Sequence, residues 1–163
     1  MPSACAFSGH RKIEKRLEGS VIEHLSRAIG YAYGEGCREF YCGGAVGFDT
    51  LAAREVIRFR MSHPDIRLIL YLPCLNQDMK WSPRERDAYE HVLASADEVR
   101  YVSEEYTKTC MKERNQALVD SADILIAYVG YSTSGSAQTA RMAERAGKRV
   151  FNLYPSVNGK TTK

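Results

Sequence analysis

Apolar and polar positions along this chain fall into alternating blocks, short β-type runs followed by longer stretches whose apolar residues recur every three or four positions. Cys5-Ala6-Phe7 reads as a first strand stopped by Ser8-Gly9-His10-Arg11, and Leu17, Val21, Leu25, Ile29 and Ala32 then mark one helical stripe. Residues 39–42 give a second strand, and the helix after it carries Ala52, Val56 and Phe59 inward. The run 66–72 is the clearest strand and ends at Pro73. Ser82-Pro83-Arg84-Glu85 matches a capping box with proline at the first helical position, so a helix runs from Pro83 towards Ala96. A strand at 98–102, a helix at 111–121 and a strand at 124–129 follow. A small-residue helix with Ala137, Ala140 and Ala143 ends at Gly147, and a last strand spans 149–153.

This alternation predicts an α/β, Rossmann-like, doubly wound and mostly parallel sheet with right-handed crossovers, in a single domain. The domain is placed at residues 1–153, with 154–163 as a polar tail lacking a partner. At 163 residues the chain is long enough to bury a full core.

Composition narrows the function classes. Twenty-three basic against 20 acidic residues leave a net charge of +3, too even for a nucleic-acid-coating protein, so nucleic acid is not the expected partner. Five cysteines without a Cys-x-x-Cys, in apolar surroundings, fit a reduced, cytoplasmic setting. No apolar run approaches the length of a membrane span, so no membrane partner is expected. His10, His24, His63 and His91 lie apart at spacings that suit no metal site, and no cofactor is implied.

Two small-residue turns carry the candidate chemistry: Gly43-Gly44-Ala45-Val46-Gly47-Phe48-Asp49 and Gly130-Tyr131-Ser132-Thr133-Ser134-Gly135-Ser136. Each leaves a strand and opens a helix, which aims backbone N–H groups and the positive helix end at one rim, where phosphate binds. Neither is a standard fingerprint. The first is Gly-Gly-x-x-Gly, and in the second Ser136 stands where a Walker loop needs lysine, so ATPase chemistry is not supported. The hydroxyls of Ser132, Thr133, Ser134 and Ser136 suit phosphate or ribose oxygens, although glycine turns of this kind also occur as plain βα connections.

Arg114 falls on the inner stripe of its helix with Met111, Leu118 and Ala122, so it needs an anion or a carboxylate partner; Asn115 stands beside it. Ser8, Gly9, His10 and Arg11 end strand one on the same rim. Asp49 suits a ribose hydroxyl or a helix cap, and Trp81 a stacked base or a staple of the capping turn; both pairs of alternatives stay open.

These residues, taken in order, resemble the SLOG superfamily, which includes the LOG phosphoribohydrolases and the DNA-processing protein DprA, and most of all its YpsA-like branch. The resemblance rests on Ser8-Gly9-His10-Arg11, Gly43-Gly44-Ala45-x-Gly47-x-Asp49, Lys80-Trp81-Ser82, Tyr106, Arg114-Asn115, Ser121-Ala122-Asp123 and Thr133-Ser134-Gly135-Ser136. It implies a Rossmann-like domain binding a nucleotide or nucleotide-derived ligand, and the two turns with Arg114 are then read as the site for a small molecule of the NAD, ADP-ribose or nucleoside monophosphate type in a sensor or regulatory module. The LOG catalytic arginine is matched by Arg114, but the LOG lysine after it by Asn115 and the LOG glutamate by Thr139. Thr139, one turn past Gly135, is expected to point at the ligand without supplying a charge. The alternative is an N-glycosidic-bond hydrolase acting on nucleotides, with Asp49 or another carboxylate in the missing role. A homo-oligomer is compatible with either.

Overall fold

The computed structural model describes residues 2–131 and 133–159. Its strands are β1 (Ala4–Gly9), β2 (Glu39–Cys42), β3 (Arg67–Leu72), β4 (Glu98–Tyr101), β5 (Ile124–Tyr128) and β6 (Arg149–Asn152). Its helices are α1 (Glu18–Gly34), α2 (Phe48–Ser62), α3 (Pro83–Ser95), α4 (Cys110–Ser121), α5 (Gly135–Arg145) and the four-residue α6 (Tyr154–Val157). The strands form one sheet in the order β4-β3-β2-β1-β5-β6, with every neighbouring pair parallel.

Alternation along each strand divides the interior into two layers. Cys5, Phe7, Phe40, Leu68, Leu70, Ile124 and Ile126 face one side with Val21, Leu25 and Ile29 of α1 and Val56 of α2. Ala4, Ala6, Tyr41, Ile69, Leu125 and Ala127 face the other with Leu118 and Val119 of α4 and Ala143 of α5. The alanines on this second face leave room for the small-residue side of α5 to come close to the sheet. A Leu25-sized side chain buried completely contributes roughly 1.5–3 kcal/mol.

The local signals read from the chain act as expected. Ser82 Oγ accepts the Glu85 N–H at 3.2 Å while Glu85 Oε1 accepts the Ser82 N–H at 3.0 Å, completing the capping box. Gly147, at φ +79°, follows α5 in the left-handed conformation that a helix end of this type requires.

The segment after β6 differs from the expected polar tail. Tyr154–Val157 is helical, Val157 is buried, and the Tyr154 ring fills the space beside Gly130, where a Cβ would lie 2.1 Å from its Cζ. Short sequences with one proline and few apolar residues carry little helical signal; here tertiary packing decides. Residues 160–163 lie outside the described part.

Because β1 connects through α1 to β2 on one side, while β5 arrives from the far edge on the other, the chain reverses its winding between β1 and β5. Their carboxyl ends open into a crevice.

Candidate functional site at the β1 and β5 ends

The crevice is a cleft of about 300 Å³ lined by Ser8, Gly9, His10, Arg11, Ala45, Asp49, Met111, Arg114, Asn115, Leu118, Tyr131, Ser134, Gly135 and Ser136. The loops after β1 and β5 are locked by His10. Its Nε2 accepts the Gly130 N–H at 2.7 Å, its Nδ1 lies 3.4 Å from Ser136 Oγ, and its ring stacks on Tyr131 with centroids 3.9 Å apart. An Nε2 that accepts requires the proton on Nδ1, and burial pushes the pKa of this imidazole down. His10 is thus a neutral strut joining two loops.

On the opposite wall, α4 supplies Arg114, which faces inward as its stripe requires. Nη1 donates to the Gly43 carbonyl, Nε donates to Asn115 Oδ1 at 2.8 Å, and Nη2 lies 3.8 Å from Met111 Sδ. Burial pushes the guanidinium pKa down and the nearby Asp49 opposes that; a guanidinium stays charged throughout. Asp49 is buried on the first turn of α2, where Oδ2 accepts the Ala45 N–H at 3.2 Å and Oδ1 meets no donor. Burial raises its pKa to about 6 against the lowering influence of Arg114, the Ala45 N–H and Arg11. Of the two roles read for Asp49, the cap is not the one seen, since Gly47 occupies the N-cap and the carboxylate braces the glycine turn instead.

The first glycine turn is built for packing as much as for access. Gly43 lies between Arg114 and Asp49, where a Cβ would be 2.7 Å from Nη1 and 3.0 Å from Oδ2. Gly44 (φ +73°) abuts Leu72, and Gly47 (φ +80°) abuts the Arg11 backbone; neither lines the cleft. Gly9 approaches the Phe48 ring closely. In the second turn, Ser134 caps α5 by accepting the Ala137 N–H at 3.1 Å, and its hydroxyl lies 3.0 Å from Ser136 Oγ. Gly135 faces open space, with only Asn115 Nδ2 at 4.0 Å. Thr133 is exposed and off the cleft lining, and Ser132 lies outside the described residues.

Two of the residues singled out in the sequence stand outside the cleft lining. Trp81 packs edge-on against Tyr89 of α3 at 5.0 Å, apart from the cleft lining. Thr139 is fully buried, and its hydroxyl donates to the Gly135 carbonyl at 2.9 Å, one turn back along α5. It points into the protein because it shares the helix face of Ala143, buried against the sheet. Tyr131 was missed: it is 55% exposed, covers His10 with one face and offers the other to solvent at the cleft. Its signal lay inside the second turn, where attention goes to the hydroxyls.

A family model described as YpsA, the YspA SLOG family, matches residues 9–153. The SPbeta prophage-derived protein YoqJ of Bacillus subtilis (strain 168) is 29% identical over 161 residues, covering 90% of each chain. Among solved structures, DNA processing protein A from Helicobacter pylori superposes with a TM-score of 0.65 at 21% identity, over 93% of this chain and 65% of that one. The same protein from Streptococcus pneumoniae gives 0.62 at 19% identity, over 92% of this chain and 50% of that one. At these identities the structural likeness shows the fold.

The H. pylori structure is described by its unique single-stranded DNA binding mode, which overturns the expectation that nucleic acid is no partner for this type of chain. Net charge was the wrong measure, because it averages over the whole surface. Nine arginines here are neutralised locally by carboxylates, so the total does not say where the unpaired cations lie. Among the described residues no helix is long and apolar enough to cross a membrane.

Proposed function

The chain belongs to the YspA SLOG family, and within it we propose that this member binds a phosphorylated, nucleotide-derived small molecule in the cleft between β1 and β5, as a sensing or regulatory module. The observation that carries the reading is Arg114. Its guanidinium is buried at the cleft wall and held by neutral acceptors, with no carboxylate ion pair among the described residues. A cation fixed in that way is suited to an anion placed in the cleft, to which the N–H groups not spent on Asn115, Gly43 and Met111 can make a charge-assisted contact.

The other groups fit the remaining parts of such a ligand. The start of α5, with the Ser134 and Ser136 hydroxyls, suits phosphate. Asp49 Oδ1, buried without a donor, suits a ribose hydroxyl. The free face of Tyr131 suits a base.

A thermal-shift screen across nucleoside monophosphates, cyclic nucleotides, NAD, ADP-ribose and a short single-stranded oligonucleotide, each beside its unphosphorylated counterpart where one exists, tests the reading. Stabilisation by a phosphorylated small molecule and none by its nucleoside is the expected result. Stabilisation by the oligonucleotide alone would transfer the site to nucleic acid.

Asp49 favours a second reading. It is the one carboxylate in the cleft lining, with a pKa near 6 and a free oxygen, as a group acting on an N-glycosidic bond would need. Release of free base from nucleoside monophosphates or NAD, followed by chromatography, would support it.

A further inference from the structure

A second groove of about 390 Å³ adjoins the cleft on the α2 and α3 side, and Arg11 lines both. Arg11, Lys12, Lys15, Arg54 and Arg84 surround it, each exposed and each with a side chain that makes no hydrogen bond or ion pair among the described residues. Other exposed cations without a carboxylate within salt-bridge distance among the described residues, such as Lys80, Lys108, Lys112 and Arg145, line neither cavity. Arg16, Arg27, Arg38, Arg58, Arg60, Arg67, Arg86, Arg100 and Arg149 all have a carboxylate within salt-bridge distance. Of the two acids on the groove, Glu85 is held by the Ser82 N–H in the capping box. Ile13, Val46 and Leu51 supply an apolar floor between the cations.

The two cavities are coupled through Arg11. Its backbone occupies the space a Cβ on Gly47 would need, with the Arg11 carbonyl oxygen 2.2 Å from that position, and this close approach fixes the loop after β1 at the ridge between cleft and groove. The Arg11 charge is also felt by both Asp49 and Arg114 inside the cleft. A ligand whose first phosphate lies near Arg114 therefore meets, on leaving the cleft past Arg11, a surface on which Arg11, Lys12, Lys15, Arg54 and Arg84 outnumber the carboxylates of Glu18 and Glu85.

We propose that this groove is the second half of the ligand site and takes the further phosphate of a pyrophosphate-linked nucleotide, a nucleoside 5′-diphosphate or an ester of one, whose first phosphate occupies the cleft. The inference rests on the proposed nucleotide-binding function and adds the class of ligand. A diphosphate fits better than a nucleic-acid strand because these five cations gather at one groove beside the cleft. Nine arginines elsewhere that would extend a backbone track are already paired with carboxylates.

Calorimetric titration of the four nucleoside 5′-monophosphates, the four 5′-diphosphates and a twelve-nucleotide single strand into wild type, Arg54→Ala/Arg84→Ala and Arg114→Ala decides it. Both groove arginines are exposed, so the double variant is expected to melt as wild type does. For the preferred base, the diphosphate should bind wild type at least tenfold more tightly than the monophosphate. The double variant should lose at least fivefold for the diphosphate and less than twofold for the monophosphate, whereas Arg114→Ala should weaken both. Equal affinity of wild type for the two ligands, or equal losses in the double variant, would overturn the groove assignment while leaving the cleft reading standing. Absence of binding by any nucleotide would sink both, and a strand held more tightly than every nucleotide would reassign the groove to nucleic acid.

Discussion

Arg114 and Gly43 share one small volume: the guanidinium donates through Nη1 to the Gly43 carbonyl, and a Cβ on that glycine would lie 2.7 Å from the same nitrogen. Gly43→Ala should therefore displace the Arg114 side chain and reduce affinity for a phosphorylated ligand tenfold or more while the sheet stays intact. Calorimetry with circular dichroism checks both halves. Unchanged affinity would mean that the arginine's position is not what the ligand reads.

Gly135→Val separates access from packing. Only Asn115 Nδ2 lies within 4.0 Å of a Cβ there, so the new side chain should be accommodated by the fold and project into the cleft, where ligand binding should be lost. Gly44→Val is no equivalent probe. Gly44 holds φ +73° with Leu72 Cδ2 only 2.4 Å from a Cβ, so valine there should destabilise the protein itself, visible as a lowered melting temperature.

Asp49 makes stability depend on pH in a definite sense. Its folded-state pKa of about 6 lies above the ordinary carboxylate value, so the folded protein binds the proton more tightly than the unfolded chain does. That contribution is full below about pH 4 and is lost as pH rises through about 6. Relative to Asp49→Asn, wild type should lose on the order of 2–3 kcal/mol of stability between pH 4 and pH 7. Urea unfolding of both proteins across that range measures it. Parallel pH profiles would show that Asp49 does not titrate as described. His10 acts in the opposite direction: with its pKa pushed down by burial, its contribution falls away as pH drops below the ordinary histidine value.

Thr139→Glu should not create a phosphoribohydrolase. The threonine hydroxyl is spent on the Gly135 carbonyl in a fully buried position, so glutamate there would bury a charge without a partner and cost on the order of several kcal/mol. A lowered melting temperature and no release of ribose 5-phosphate from nucleoside monophosphates are expected. A stable, active variant would show that this position reaches the ligand after all.

Much of this arrangement could be read from the chain because its signals are local. The alternating runs of β1 to β6, the Ser82-Pro83-x-Glu85 box and the Arg114 stripe each depend on a few neighbouring residues, and the structure has them where the pattern puts them. What escaped depends on contacts distant in sequence. Tyr154 packs against Gly130, Tyr131 stacks on His10, and the Trp81 ring finds Tyr89, none of which spacing can reveal. Thr139 departs from the expected orientation for a different reason. A helix position four after Gly135 shares its side of the helix, but that side at Thr139 already faces the sheet.

Phosphate recognition in the cleft through Arg114 is tested by titration calorimetry of one matched pair, a nucleoside 5′-monophosphate and its nucleoside, into wild type and Arg114→Ala. Wild type should prefer the phosphorylated member, and the variant should lose on the order of 1.5–3 kcal/mol for that member with little change for the nucleoside. Equal binding of the two by wild type, or equal losses for both in the variant, would contradict it.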